Sequence, residues 1–398
     1  MTPSSLPVIR LKPKANARAI RHGAPWVYDN EVVTDRRTKK IAPGTVCVLE
    51  DAERAPLALV GVNPASKIFA RVLERDLTRS IDQAWLHDKL RAALLLRQKL
   101  YDDPFYRLIH AEGDGLPGVV IDRFGACAVL QPNAAWAEGL LPELVAALRD
   151  VTGVSHVIKN AAGRARSLEG LDDQSEVLLG RWPDGPVEVS MNGAIYLADL
   201  KDGQKTGLFY DQRPNHAFAA RLAKDARVLD VFSHVGGFSL AALAAGAKMA
   251  LAVDGSAAAL ELASDAARRM GRASDFDTRQ GDAFDTLAAL AEDGAEFDVV
   301  ICDPPAFAPN KQSLEAGLRA YERVARLAAP LVADGGILGL CSCSHAADLA
   351  KFRSASVRGI GRAGRRGALI HTGFAGPDHP QHPQLAETAY LKALFFRL

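Results

Sequence analysis

The spacing of apolar and polar positions changes along the chain and marks three regimes. Over residues 1–75 the apolar runs are short. Val46-Cys-Val-Leu-Glu50 and Ala58-Leu-Val-Gly-Val62 predict strands, and Pro43-Gly44 is a turn signal before them. A small β-rich module is expected there. From residue 80 to 105, Trp85, Leu86, Leu90, Leu94, Leu95 and Leu100 recur at helical spacing. Gly113-Asp-Gly-Leu-Pro-Gly118 then reads as a turn, Val119-Val-Ile121 as a strand and 140–148 as a second helix. Residues 76–195 therefore mix α and β.

Beyond residue 226 strands alternate with helices. Arg227-Val-Leu-Asp-Val-Phe232 predicts a strand, and Leu240-Ala-Ala-Leu-Ala-Ala245 a short helix ending at Gly246. Lys248-Met-Ala-Leu-Ala-Val253, Phe297-Asp-Val-Val-Ile-Cys302 and Ile337-Leu-Gly-Leu-Cys341 predict further strands, the last after the turn Asp334-Gly-Gly336. This alternation implies a parallel, doubly wound sheet over 196–398, with ligands at the carboxyl ends of its strands. A length of 398 residues fits two to three domains.

Composition narrows the class. Hydrophobic residues make up 48% and charged residues 24%, as in globular proteins. No run approaches the ~18 apolar residues of a membrane span. The opening lacks a basic stretch followed by an apolar one, so no signal peptide is expected. Five scattered cysteines, Cys47, Cys127, Cys302, Cys341 and Cys343, suit a reducing compartment, and a cytoplasmic location is expected. Net charge is only +1, but it is uneven. Residues 1–40 carry nine Lys/Arg against three acids, and the remaining chain is net negative. Such a basic end can be a footprint for phosphate, with Lys12, Lys14, Arg18 and Arg21 as candidate contacts. A solvated basic face is the alternative.

Four motifs carry candidate chemistry. In Val228-Leu-Asp-Val-Phe-Ser-His-Val-Gly-Gly-Phe238 a strand bears Asp230, and Ser233, Gly236 and Gly237 precede a helix. Glycine admits a ligand close to the backbone at a helix N-terminus. Asp254 closes the next strand, where a carboxylate can hold both ribose hydroxyls. The turn resembles the adenosylmethionine-binding turn of class I methyltransferases, in which Asp282 would lie beside the adenine. Asp282 can equally cap the following helix. In Cys302-Asp-Pro-Pro-Ala-Phe307 two prolines end the ladder and hold Asp303 at the strand end, where an acid can meet the edge of a base. In Cys341-Ser-Cys-Ser344, Cys341 and Cys343 are expected on one face. Cys341 reads as a small core residue, and Cys343 lies nearer the edge where a nucleophile would serve.

Two patterns are rejected. Gly203-Gln-Lys-Thr-Gly207 lacks the glycines of a P-loop. Asp378-His-Pro-Gln-His-Pro383 has no further ligand cluster around it, so no metal is expected.

Together these residues resemble the PUA-domain-containing 23S ribosomal RNA large-subunit 5-methylcytosine methyltransferases. Leu11-Lys-Pro-Lys14 and His22-Gly-Ala-Pro-Trp-Val27 are similar to the opening of that family's PUA module. Tyr106 to Gly118 and Asp122-Arg-Phe-Gly125 are similar to its central domain. Gln204-Lys-Thr-Gly-Leu-Phe-Tyr-Asp-Gln-Arg213, Asp303-Pro-Pro-Ala-Phe307, Ser342-Cys-Ser344 and Glu387-Thr-Ala-Tyr-Leu-Lys392 complete the set. His234-Val235 and Met270-Gly271 depart from the family's usual Tyr-Thr and Asn-Gly.

The resemblance implies an N-terminal β-rich PUA domain (1–75), a central α+β domain (76–195) and a C-terminal Rossmann-like class I methyltransferase domain (196–398). It implies S-adenosylmethionine as cofactor, approached by Asp211, Gln212 and Arg213 beside Asp230, Ser233, Gly236, Gly237, Asp254, Asp282 and Asp303. It implies 23S rRNA as partner, single-stranded or with a flipped base, contacted also by Lys205, and a homodimer. Cys343 would be the nucleophile and Asp303 would bind the cytosine edge. Related cytosine enzymes often carry a second Cys three positions after this Asp, where Ala306 stands, so the base that removes the carbon 5 proton is unassigned. Two other functions stay open. Guanine-N7 methylation shares Asp-Pro-Pro-x-Phe but needs no covalent cysteine. A non-catalytic RNA-binding assembly factor would not need the intact acidic set.

Overall fold

The computed structural model describes residues 6–201, 203 and 207–398. The chain divides into two compact units, Met1–Trp182 with Pro377–Ala386, and Pro183–Gly376 with Glu387–Leu398.

The first unit contains two five-stranded sheets. One runs in the order Val8–Arg10, Val46–Glu50, Pro56–Val62, Ile68–Glu74, Trp26–Tyr28. The other runs Glu176–Leu179, His156–Lys159, Cys127–Pro132, Val119–Phe124, Phe105–His110. The helical spacing noted from Trp85 onward becomes the helix Gln83–Leu100, which buries Trp85, Leu86, Leu90 and Leu94. Two buried carboxylates tie the sheets together. Glu112 accepts from Trp26 Nε1 at 2.8 Å and Arg71 at 3.2 Å. Glu169 accepts from Asn63, Ser66 and Arg71 at 2.9–3.0 Å. These links explain why residues on either side of 75 form one unit.

The segment Pro377–Ala386 returns to this unit through charge. The buried Arg97 guanidinium pairs with Asp114 at 2.6 Å and donates to the Asp378 carbonyl at 2.8 Å. The Asp378 carboxylate accepts from Arg107 N at 3.0 Å and contacts His379 Nδ1 at 2.9 Å. Asp378-His379 is thus a packed hydrogen-bonded element. Among the described residues no group of three His, Cys, Asp or Glu side chains could hold a metal ion. Among them, too, no helix is long and apolar enough to cross a membrane.

The second unit opens with the hairpin Val187–Met191 and Ala194–Ala198. The boundary expected at 195/196 would cut its second strand. The division lies at 182/183 because the hairpin packs on the helices Gly237–Ala244 and Ala257–Arg269. The main sheet has seven strands in the order Phe276–Gln280, Met249–Asp254, Arg227–Val231, Phe297–Cys302, Val332–Ser342, Lys392–Arg397, Ala368–Gly373. The first five are parallel, Lys392–Arg397 runs antiparallel to them, and Ala368–Gly373 pairs antiparallel with Lys392–Arg397 and so returns to the direction of the five.

Alternation along the central strands feeds two cores. Leu229, Val231, Val300 and Cys302 join one cluster, and Val228, Val299, Ile301 and Cys341 the other. The strand order reverses between Arg227–Val231 and Phe297–Cys302, so their carboxyl ends open a crevice where ligands bind in such sheets.

Two local readings change. The turn Asp334-Gly-Gly336 lies inside the strand Val332–Ser342 as an irregularity, with Gly335 at φ +78° and a register shift against Phe297 and Val299. The same strand stops at Ser342, so its two-residue alternation does not extend from Cys341 to Cys343.

Candidate active site

A cavity of about 450 Å³ opens at the carboxyl ends of the central strands. It brings together Asp211, Gln212, Asp230, Ser233, Gly237, Asp254, Asp303 and Cys343 from segments far apart in the sequence.

The first wall is the turn after Arg227–Val231. Phe232 and His234 sit at φ +63° and +50°, a left-handed backbone that non-glycine residues seldom adopt and that concentrates at functional sites. Gly236, at φ +81°, caps the helix Gly237–Ala244. At Gly237 a Cβ would lie 2.7 Å from His216 Nε2, so a side chain there would displace the imidazole.

Asp230 is fully buried beneath this turn. Its Oδ2 accepts from Ser239 N at 2.9 Å, while Oδ1 has no partner among the described residues. Burial pushes its pKa up to about 6, against the pull of the Ser239 and Phe238 amides. Asp254, at the next strand end, accepts from His234 N and Ser256 N at 2.8 Å each. It therefore holds the turn in shape as well as facing the cavity.

The opposite wall is the Asp-Pro-Pro loop. Asp303 N donates to the Val231 carbonyl at 3.1 Å, which docks the loop on the neighbouring strand. Gln212 Nε2 donates to Asp303 Oδ2 at 2.9 Å. Ala308 N, at the end of the loop, donates to Ser344 Oγ at 2.9 Å, and Tyr321 Oη lies 2.8 Å from the same hydroxyl. One serine thus joins the loop after Asp303 to the loop that carries Cys343.

Cys343 is half-buried and lines the cavity. The other four cysteines are buried. Burial pushes the Cys341 and Cys302 thiols well up and that of Cys47 up to about 12. Cys341 packs in the core beside Ile301 and Phe395.

Three expected cofactor contacts stand outside the lining. Arg213 begins the helix Arg213–Arg221, and its carbonyl accepts from Asn192 at 2.8 Å. Gly236 is the N-cap of the helix Gly237–Ala244, where a Cβ would meet Leu240, Ser239 and Ala263 at 3.1–3.2 Å. Asp282 caps the helix Ala283–Glu292 by accepting from Phe284 N and Asp285 N at 2.9 and 3.1 Å, which is its structural reading.

His216 lines the cavity and was not singled out from the sequence. It stacks near Tyr196 and meets Phe238 edge-on, and burial lowers its pKa to about 3, so it is neutral. No motif flags it. Its role is visible only through the fit against Gly237.

Of the expected RNA contacts, Lys12, Lys14, Arg18 and Arg21 are exposed. Lys12 Nζ donates to the Asn30 carbonyl at 2.9 Å and Arg18 Nε to His22 at 3.3 Å. Arg21 forms an ion pair with the buried Asp51. Lys205 lies outside the described residues.

Comparison with known proteins agrees with this architecture. Residues 146–397 match the S-adenosylmethionine-dependent methyltransferase family, and residues 9–75 match the PUA-like domain. A ribosomal RNA large subunit methyltransferase of Deinococcus radiodurans is 36% identical, covering 99% of this chain and 98% of its own. The ribosomal RNA large subunit methyltransferase I of Cronobacter sakazakii is 34% identical, covering 95% and 96%. Among solved structures, a SAM-dependent methyltransferase fold from Streptococcus mutans superposes with a TM-score of 0.82 at 18% identity, covering 99% of this chain and all of the other. That similarity shows the shared fold. The chain belongs to the S-adenosylmethionine-dependent methyltransferases of large-subunit ribosomal RNA that carry an N-terminal PUA-like domain.

Proposed function

We propose that this chain methylates carbon 5 of a cytosine in 23S rRNA through a covalent adduct on Cys343. The observation that carries the reading is that Cys343, alone among the five cysteines in being half-buried, lines the same cavity as Asp303.

The cavity also fits the cofactor. It presents buried acceptors with no partner among the described residues, Asp230 Oδ1 and Ser233 Oγ, beside the bare backbone of Gly237. Asp211, Asp230, Asp254 and Asp303 make it acidic, which suits a ligand carrying an amine, ribose hydroxyls and a sulfonium. When bound, S-adenosylmethionine supplies an electrophilic methyl group.

The chain's residues must make carbon 5 nucleophilic. The Cys343 thiolate adds to carbon 6, and carbon 5 gains enamine character and takes the methyl group. Loss of the carbon 5 proton and departure of the thiolate restore the ring. Asp303, aimed by Gln212, holds the cytosine edge. The base must leave any stack to reach Cys343, so a flipped or single-stranded target is required. Lys12, Lys14 and Arg18 on the PUA-like module contact phosphate.

The test is to supply labelled S-adenosylmethionine and undermethylated large-subunit RNA to wild type and Cys343→Ala, and to identify the nucleoside by mass spectrometry. Methylation of cytosine by wild type alone supports the reading. Methylated guanine, or equal activity in the variant, overturns it.

A further inference from the structure

The cavity poses an electrostatic problem for a thiolate. Asp211 and Asp303 line it together with Cys343, and none of its described lining residues is Lys or Arg. Carboxylates disfavour a neighbouring thiolate. A positive charge set behind the lining would offset them.

Lys392 stands there. It begins the antiparallel strand Lys392–Arg397 and pairs in register with Ser342, the residue before the cysteine. The residue is only 4% exposed. The ammonium donates to the carbonyls of Ser344 and Ala347 at 2.7 Å each, so it bridges the turn that follows Cys343. Among the described residues no carboxylate pairs with it within 4.0 Å. A buried ammonium held by two neutral carbonyls keeps its charge available to a nearby anion.

We propose that Lys392 is the positioning residue for Cys343, clamping the cysteine loop through two backbone carbonyls and providing the positive charge that favours the thiolate. This rests on the reading of Cys343 as nucleophile. The surrounding charged and titratable groups are few. Tyr321, from the helix Leu314–Ala328, shares the Ser344 hydroxyl and is held protonated by burial. Asp348 caps the helix Leu349–Arg362 and bonds Lys351. Asp303 faces the cavity, and His345 is exposed on the cysteine loop itself. Lys392 is the cation within this set. Burial lowers its pKa to about 8, and Cys343 and Asp348 pull it back up. Coupling of that kind is reciprocal, so the ammonium lowers the thiol's pKa in turn.

The experiment follows alkylation of Cys343 by iodoacetamide across pH, quantified by peptide mass spectrometry. It uses wild type, Lys392→Met and Lys392→Arg, with circular dichroism and cofactor affinity as checks on folding. Lys392→Met is expected to move the midpoint up by about one pH unit and slow alkylation at pH 7 about tenfold, with Lys392→Arg restoring most of it. A folded Lys392→Met with the wild-type midpoint overturns the proposal. A second measurement needs no Lys392 variant. The Lys392 side-chain carbon resonance is titrated by NMR in wild type and Cys343→Ser, and loss of the thiolate should lower the lysine's midpoint. Equal midpoints overturn the proposal. Neither readout requires methyl transfer. A fully active Cys343→Ala would therefore sink the covalent reading while leaving the coupling measurable.

Discussion

Gln212 donates a 2.9 Å hydrogen bond to Asp303 Oδ2 and accepts one of 2.6 Å from Asn215 on its other side. The second bond fixes which end of the Gln212 amide faces the carboxylate. Asn215 is in turn held by the Phe374 carbonyl at 3.3 Å. Asp303 is thus aimed by a chain of amides running back through the helix Arg213–Arg221.

Gln212→Ala removes a hydrogen bond to a charged group, worth about 1.5–3 kcal/mol, and frees Asp303 to turn. Methyl transfer should fall about ten- to hundredfold. Gln212→Glu should be worse, because it sets a carboxylate against a carboxylate. Single-turnover kinetics at saturating cofactor, with circular dichroism to confirm folding, reads both. Wild-type rates in Gln212→Ala would remove this network from the chemistry.

The raised pKa of Asp230 gives a stability signature. Its folded pKa of about 6 exceeds the usual 3.8, so the folded protein holds a proton the unfolded chain has released. Stability contributed by this group therefore falls as pH rises from about 4 to 6, and the penalty stays constant above that. Asp230→Asn removes the penalty. Without cofactor, it should be more stable than wild type above pH 6, by on the order of 2–3 kcal/mol, with the gain vanishing near pH 4. Cofactor affinity should fall in the same variant. Urea unfolding at pH 4.5 and 8 measures the difference, and an equal effect at both values would contradict it.

Much of this site was legible in the chain. The strand Phe297–Cys302 followed by Asp303-Pro-Pro is visible because an apolar run meets two residues that cannot continue a ladder. The turn around Gly236-Gly237 is visible because only glycine admits the close approach of another group. Other features depend on contacts that local patterns do not encode. Pro377–Ala386 belongs to the first unit because Asp378 meets Arg97 and Arg107 across 281 and 271 residues. Polar and apolar positions alternate along Val187–Met191, but its partner Ala194–Ala198 is almost wholly buried and lacks that rhythm. His216 and Lys392 make their contacts with residues remote in sequence, and no spacing rule marks either one, although Lys392 closes the family-like stretch 387–392.

Ser344 couples the two loops of the site. Ser344→Ala leaves Ala308 N without its acceptor and takes the 2.8 Å hydroxyl contact from Tyr321, whose Oη still accepts from Phe307 N at 3.4 Å. A loss of about 1–3 kcal/mol in stability is expected, with a fall in methyl transfer. Combined with Tyr321→Phe in a double-mutant cycle, the two effects should not add. Strict additivity would show that the loops are independent.

The PUA-like module should show itself in salt dependence. Replacing Lys12, Lys14 and Arg18 with Gln should reduce the slope of log affinity for RNA against log salt by about two, given ~0.7 per phosphate contact on single strands. Arg21→Gln should act differently. Its partner Asp51 is buried, so removing the arginine should lower stability more than it changes the slope. Filter binding at several salt concentrations, with thermal melts alongside, separates the two effects. A triple variant with an unchanged slope would place the RNA elsewhere.

Covalent trapping is the most direct test of the account. In RNA carrying 5-fluorocytidine at the target, fluorine replaces the proton that must leave carbon 5, so the adduct cannot resolve after methylation. With S-adenosylmethionine present, wild type should form a denaturant-resistant protein–RNA species. The crosslink should map to Cys343, and Cys343→Ala should form none. If wild type methylates native RNA at cytosine carbon 5 yet forms no adduct with the fluorinated substrate, or if the adduct maps to another residue, the role assigned to Cys343 is wrong.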